Sequence, residues 1–343
     1  MLSENSQLLA CNRDKQIVTS AAFDEGFSPL SIRLFKKGTG AKSYVLTGVA
    51  ARCDWVALSD AMEPHTHLVR RVDTNRPRNV FLSLRSPFQA LAWFANEVLP
   101  QIEAPFVLVS GSEDVTIPEQ IDKRWRAYSD IDIAAIERIR NHRFLRAWFA
   151  ENLAIEDPLI QPIPTGLVFA DSSEPPLVDN NPPPLADRPL RVLCAHRVRE
   201  GQQWELRRRI SETAKTHWSA ICTHIDAEVP QQEFFQLCQK HAFVICANGG
   251  GLDPSPKAFH AILNGAIPII QNSPVVSAYR QLPVAVTPDW TPEALSLKRL
   301  ESWRADLLEE FDVPARRKEV IRRLGLDYWW RQIEAAARPL DAE

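Results

Sequence analysis

Residues 243–270 read Phe-Val-Ile-Cys-Ala-Asn-Gly-Gly-Gly-Leu-Asp-Pro-Ser-Pro-Lys-Ala-Phe-His-Ala-Ile-Leu-Asn-Gly-Ala-Ile-Pro-Ile-Ile. The succession of residue types predicts strand, glycine-rich loop, helix, strand. Phe243 to Ala247 is an apolar run of strand length. Asn248, Gly249, Gly250 and Gly251 then free the backbone and strip it of side chains. Ser255 is a candidate helix N-cap, and Pro256 suits the first helical position. Gly265 is placed to follow the helix C-cap, and Ile267 to Ile270 begins the next strand.

This pattern has a chemical reading. Unpaired N–H groups at a helix start carry partial positive charge, and three adjacent glycines let a phosphate approach the main chain. Lys257 adds a full positive charge where helix electrostatics alone would favour an acid. Asp253 and Ser255 are placed to cap the backbone or to hydrogen-bond sugar hydroxyls. The alternative, equally open from spacing alone, is a turn that needs positive φ angles, with Lys257 solvated.

The stretch also resembles the exostosin-like glycosyltransferases. The matching elements are Gly249-Gly250-Gly251, Asp253, Lys257, Ala261 and Gly265-Ala266-Ile267-Pro268-Ile269, continuing through Tyr279, Leu282-Pro283-Val284 and Asp289-Trp290. The likeness is concentrated in about a quarter of the chain. One position departs from it: the acid that usually precedes Ala261 is His260 here. The resemblance implies a nucleotide-sugar donor as co-substrate rather than a separate cofactor, a glycan or other hydroxyl acceptor, and inversion at the anomeric carbon.

Length and composition agree with a two-domain globular protein: 343 residues, 45% hydrophobic and 24% charged. A formal net charge of −3 gives no electrostatic case for a nucleic-acid partner. The ten tryptophans are read mainly as core, some as candidates to line a carbohydrate site. Six cysteines, at 11, 53, 194, 222, 238 and 246, form no CxxC pair and mostly lie in apolar runs, which predicts reduced, buried thiols and a cytoplasmic setting. No metal site is expected from them. No apolar run reaches the length of a transmembrane segment, which leaves peripheral membrane association open. Leu8-Leu9-Ala10-Cys11 lacks the flanks of a lipoprotein cleavage box.

From the N-terminus, residues 15–24 and 43–49 hold short strand-like runs, and Ser28-Pro29 is read as opening a helix over 28–37. Asn79 to Ser83 and Pro105 to Ser110 are strands, with an amphipathic helix from Ser86-Pro87 to residue 102 between them. The second strand ends in Gly111-Ser112-Glu113-Asp114, and Asp114 is the candidate general base, since functional groups of open α/β sheets gather at carboxyl ends of strands. His65 and His67 lie in a polar stretch. Asp130-Ile131-Asp132 is read as an acidic helix start rather than a metal motif. Residues 142–153, rich in Trp and Phe, are read as a helix.

Residues 172–189 accumulate Pro, Asp, Asn and Ser and are read as a linker. The expected organisation is a first Rossmann-like domain over 1–171 that takes the acceptor, a second over 190–325 that takes the nucleotide-sugar, and a terminal helix over 326–343 packing back on the first. Leu190 to Ala195 is a strand, and Arg197 and Arg199 at its end are candidates to clamp the donor's diphosphate. Arg207-Arg208-Arg209 is read as a solvated helix face.

The fold class these readings give is α/β, two Rossmann-like domains facing a cleft (GT-B). The site residues are Asp114 as base, with Arg197, Arg199, Asn248, Gly249, Gly250, Gly251, Asp253, Ser255, Lys257 and His260 holding the donor. The function is metal-independent sugar transfer from a nucleotide-sugar. Two other readings stand beside it: a binding protein without catalysis, and a sugar-nucleotide epimerase.

Overall fold

The computed structural model describes residues 27–168, 182–254 and 256–338. Its first half begins with an antiparallel pair, β1 (Phe35–Lys36) and β2 (Tyr44–Val45). A six-stranded sheet follows, made from β3 (Trp55–Ser59), β4 (Thr66–Arg70), β5 (Asn79–Ser83), β6 (Phe106–Gly111), β7 (Leu145–Ala150) and β8 (Ile160–Pro162), with helices α1 (Pro87–Trp93) and α2 (Asp130–Arg140). The order is β4-β3-β5-β6-β7-β8, parallel throughout except for the β3–β4 pair.

From β3 to β8 the strands follow chain order in one direction. Right-handed crossovers then place their helices on a single face. α1 and α2 indeed share one core with Trp55, Ala57, Val80, Leu82 and Leu108. The other face, with Val56, Leu58, Phe81, Val107 and Val109, needs a different cover. Leu30, Ile32 and Leu34 supply it from the N-terminal side, and the last helix supplies it from the other end.

Two expectations are corrected here. Residues 28–37 are not helical: Ser31 bridges Gly166, and Phe35–Lys36 is a strand. Leu30, Ile32 and Leu34 alternate with Ser31 and Arg33, the two-residue period of an extended chain, and Ser31 is buried as well. Residues 142–153 are not helical either; their centre is β7, between β6 and β8. A short apolar run flanked by sheet on both sides has no period by which to tell helix from strand. Trp148, fully buried in β7, donates its indole N–H to Ser110 Oγ at 2.8 Å. The run Trp55–Ser59 is the buried strand β3.

The acidic start read at Asp130-Ile131-Asp132 is that of α2. Asp132 accepts the Ser129 N–H at 2.8 Å and closes a capping box. The helix read over 87–102 is α1 continued by a π-helical turn and a 3-10 turn. His65 precedes β4 and His67 lies on it. The strand read at 15–24 lies outside the described residues, as does most of the 172–189 stretch.

The second half is a five-stranded sheet. Its elements are β9 (Val192–Cys194), α3 (Glu205–Lys215), β10 (Cys222–His224), α4 (Gln231–Gln239), β11 (Phe243–Ile245), α5 (Lys257–Leu263), β12 (Ile267–Gln271), α6 (Val276–Tyr279) and β13 (Ala285–Thr287). All pairings are parallel, in the order β10-β9-β11-β12-β13. α5 ends where the sequence places the stop: Gly265 has φ +75°, and Ala266 N–H returns to Ala261 O at 2.9 Å.

Helices α7 (Leu297–Asp312), α8 (Pro314–Arg323) and α9 (Leu326–Ala336) complete the chain. α9 lies against β7 of the first sheet. Leu326 N–H donates to Ser28 O at 2.7 Å, and Leu30 N–H to Leu324 O at 2.9 Å. The two α/β units present their carboxyl edges to each other across a cleft, the GT-B arrangement. Among the described residues, no helix is long and apolar enough to cross a membrane, and no three metal-ligating side chains cluster.

Candidate functional site

Counting β9 as the first strand, the second sheet runs 2-1-3-4-5. Connections leave β9 and β11 in opposite directions, and the loops after those strands part to form a crevice where ligands of open α/β sheets bind. A cavity of about 320 Å³ lies there, lined by Trp204, Arg207, Gly249, Gly251 and Asp253. Its opposite wall is the first sheet's edge, with Arg33, Arg85, Asp114, Asn152 and Thr165.

Arg207 is the site's distinctive cation. Arg207, Ile210, Ser211 and Ala214 form the buried face of α3 at helical spacing. Arg207 is 7% exposed. Its guanidinium stacks on the Trp204 ring at 4.8 Å. It donates to Asn248 O at 2.9 Å, and to Ala247 O and Arg197 O at 3.3 Å. Among the described residues no carboxylate lies within ion-pair distance of it. Burial accordingly pulls its pKa down to about 10. The solvated face read for 207–209 therefore holds for Arg208 and Arg209, which are exposed, and fails for Arg207.

His196 fixes α3 from below: its Nε2 lies 2.9 Å from Arg207 O and 3.1 Å from Ser211 Oγ. Burial drives its pKa to about 3, so the ring is neutral. The arginines chosen from sequence take other places. Arg197 is exposed and paired with Glu228; Arg199 stacks over Trp204 at 5.8 Å. Neither lines the cavity.

The glycine run does something other than expected. None of Gly249, Gly250 and Gly251 is among the positive-φ glycines, which lie elsewhere. At Gly250 and Gly251, side chains are excluded by neighbours. A β-carbon on Gly250 would meet the Arg124 guanidinium, and one on Gly251 the Asn152 carboxamide, both from the first sheet's loops. α5 has only seven residues, and the Leu252 and Asp253 N–H groups donate to Asn152 Oδ1 at 2.9 and 3.0 Å. From this stretch, Gly249, Gly251, Asp253 and Pro256 face the cavity.

Lys257 is half-buried, its Nζ 5.8 Å from the Phe234 ring. Burial first, then the positive charge of Arg207, lowers its pKa to about 8. His260 packs its ring on Phe235 at 5.0 Å and, held neutral by burial with a pKa of about 4, does not line the cavity. Asn248 is buried and contributes its carbonyl to Arg207. Ser255 lies outside the described residues.

Asp114 does reach the cavity, but both its oxygens are engaged. Oδ1 is paired with Arg33 and Oδ2 accepts from Arg124 at 2.6 Å. Burial raises its pKa, and the two guanidinium charges outweigh that and hold it below the usual carboxylate value. A carboxylate so stabilised is a weaker base than a free one, which argues against Asp114 as proton acceptor.

Asp253 is in the opposite condition. Its Oδ2 accepts from Tyr279 Oη at 2.8 Å and from Thr165 N–H at 3.2 Å, and burial lifts its pKa to about 7. Behind it, buried Glu151 accepts from Arg33 Nε at 2.7 Å, Ser112 N–H at 2.6 Å and Thr165 Oγ1 at 2.8 Å, and burial raises its pKa. Ser112 adopts φ +73°, a rare conformation for a residue with a β-carbon. Its hydroxyl accepts from Leu34 N–H and Arg85 Nε, at 2.9 and 3.2 Å.

Sequence reasoning missed Arg33, Glu151, Asn152 and Thr165. The signal for Glu151 and Asn152 was present: they stand immediately after β7, at a carboxyl end, and reading β7 as a helix concealed it.

No family model matches the chain, and no curated protein does. Among solved structures, it is similar to Anabaena Alr3699/HepE in complex with UDP and glucose, at 10% identity over 76% of this chain and 77% of that one, with a TM-score of 0.41. It is also similar to the spinosyn rhamnosyltransferase SpnG complexed with spinosyn aglycone (15% identity, 75% and 73% covered, TM-score 0.34). A third is sucrose-phosphate synthase from Thermosynechococcus elongatus (12% identity, 75% and 74% covered, TM-score 0.39). Likenesses this distant decide neither substrate nor reaction for this chain.

Proposed function

We propose that the protein is a glycosyltransferase that moves a sugar from a nucleotide-sugar to a glycan or other hydroxyl acceptor. The observation that carries this reading is Arg207: a buried cation, bonded only to backbone carbonyls among the described residues, in the wall of a cavity at the second sheet's switch point. A planar guanidinium in that position suits a diphosphate. Gly249 stands beside it without a side chain, and Lys257 adds a second charge nearby.

In the reaction we infer, the acceptor oxygen attacks the anomeric carbon as its proton passes to a carboxylate. The bond to the donor's phosphate oxygen breaks, and the charge that develops there is met by Arg207. Asp253 is the better proton acceptor, since its pKa of about 7 matches the task at neutral pH and that of Asp114 does not. The second sheet, within 190–325, would hold the donor, and the first, within 1–171, the acceptor. Because fixed cations answer the leaving group's charge, we take the reaction to be metal-independent. Inversion and a glycan acceptor rest on the exostosin-like residues at 249–290. Among the described residues, five free, buried cysteines support a reducing, cytoplasmic setting.

The test is incubation with a panel of nucleotide-sugars and hydroxyl acceptors. Release of nucleoside diphosphate together with a new glycoside is expected. A changed sugar nucleotide without release would make the chain an epimerase, and ligand binding with no product would make it a binding protein. Arg207→Met should weaken nucleoside diphosphate binding by about 10- to 100-fold, the worth of one or two charge-assisted hydrogen bonds. Unchanged affinity, read by calorimetry, would remove the proposed seat.

A further inference from the structure

The first sheet's loops grip the glycine run of the second. Asn152, one residue past Glu151 and 2% exposed, is the centre of that grip. Its carboxamide oxygen accepts two consecutive backbone N–H groups, from Leu252 at 2.9 Å and Asp253 at 3.0 Å. Its Nδ2 donates to Glu113 O at 3.3 Å. Asn152 is itself held from behind: its carbonyl accepts Ile117 N–H at 2.9 Å, and Ala154 N–H returns to Ile117 O at 2.7 Å.

Successive N–H groups converging on one oxygen are how a bare main chain binds an anion. Here the oxygen belongs to a neutral amide on the facing sheet. Charge-assisted hydrogen bonds are roughly twice as strong as neutral ones, so a phosphoryl oxygen is the stronger ligand for the same pair of donors. A carboxylate at this position would compete far better than a carboxamide does.

We propose that Asn152 is a built-in stand-in for a ligand's anionic oxygen, clasping the glycine loop to the first sheet until a phosphoryl group displaces it. The proposal rests on reading the cavity as a diphosphate site. Part of the ligand's binding free energy is then spent on opening the clasp. Apparent affinity falls by the fraction of molecules already open, and loosening the clasp must tighten binding.

The experiment is titration of the full chain with inorganic pyrophosphate, followed by calorimetry, for the wild type, Asn152→Ala and Asn152→Ser. Asn152→Ala removes the competing oxygen. Asn152→Ser draws the side-chain oxygen back from the two N–H groups and leaves its place open. Both variants are expected to bind pyrophosphate about tenfold more tightly than the wild type. A residue that only supports the fold would not give that gain when removed. If the wild type binds and the folded variants bind equally or more weakly, the clasp is overturned and the diphosphate site stands. If none of the three binds, the clasp and the site reading fall together.

Discussion

At the carboxyl edge of the first sheet, positive charge is answered in place. Arg33 meets Glu151 and Asp114, and Arg124 meets Asp114 and Asp122, at 2.6 and 2.7 Å. At the facing edge of the second sheet, Arg207 is as deeply buried and has only carbonyl oxygens as acceptors among the described residues. The strand orders match this difference. The first sheet runs in one direction from β3 to β8, whereas the second reverses between β9 and β11 and opens a crevice there. A compensated cation holds a structure together; an uncompensated one is suited to hold something that arrives. Burying charge costs several kcal/mol per ion, and that cost is tolerated here for a cation left with charge to spare.

The sharpest way to break this comparison is to remove one cation from each edge. Arg33→Met orphans buried Glu151 and half of Asp114's pairing. It should cost about 3–5 kcal/mol of stability in urea unfolding. Arg207→Met orphans no carboxylate, so its loss should appear mainly in diphosphate affinity. If the two variants show the reverse pattern, the edges have been assigned the wrong way round.

A second measurement concerns Asp253, which spans the seam. Its pKa is about 7 in the fold against an ordinary value of 3.8. The native state therefore holds a proton there that the unfolded state has released. Its contribution favours the fold below the lower value and declines as pH rises through about 7. The full swing is on the order of 4 kcal/mol. Because carboxylates such as Asp114 and Asp60, whose pKa values are lowered, pull the other way, the quantity to measure is the wild type minus Asp253→Asn. That difference should fall with pH between about 4 and 7, and a flat difference would refute the assignment.

The smallest effect is expected outside the cavity. Arg197→Ala removes an exposed pair with Glu228 and should change both stability and pyrophosphate affinity by about 0.5 kcal/mol or less. A large loss of affinity would return Arg197 to the site and weaken the claim that burial singles out Arg207.

Much of the second sheet was legible in advance. β9, β11, β12 and the intervening helices follow short apolar runs punctuated by Pro256 and Gly265, and these signals act within a few residues. β7 was misread because a strand with neighbours on both sides is apolar on both faces and loses its two-residue period. That one error hid Glu151 and Asn152. Arg207 was passed over for a related reason: among Arg207, Arg208 and Arg209, only the phase of α3 against the sheet decides which turns inward.

From the chain alone come the alternation of strand and helix, the parallel α/β class and the stop of α5, since periodicity, φ preferences and capping are local properties. Tertiary structure alone decided that Gly250 and Gly251 are bare to admit Arg124 and Asn152, that Asp114 is ion-paired while burial lifts the pKa of Asp253, and that one arginine of three faces the cavity. Those outcomes depend on desolvation and on charges brought together from residues up to about a hundred positions or more apart, such as Arg33 and Glu151 or Asn152 and Asp253. No window of sequence contains them.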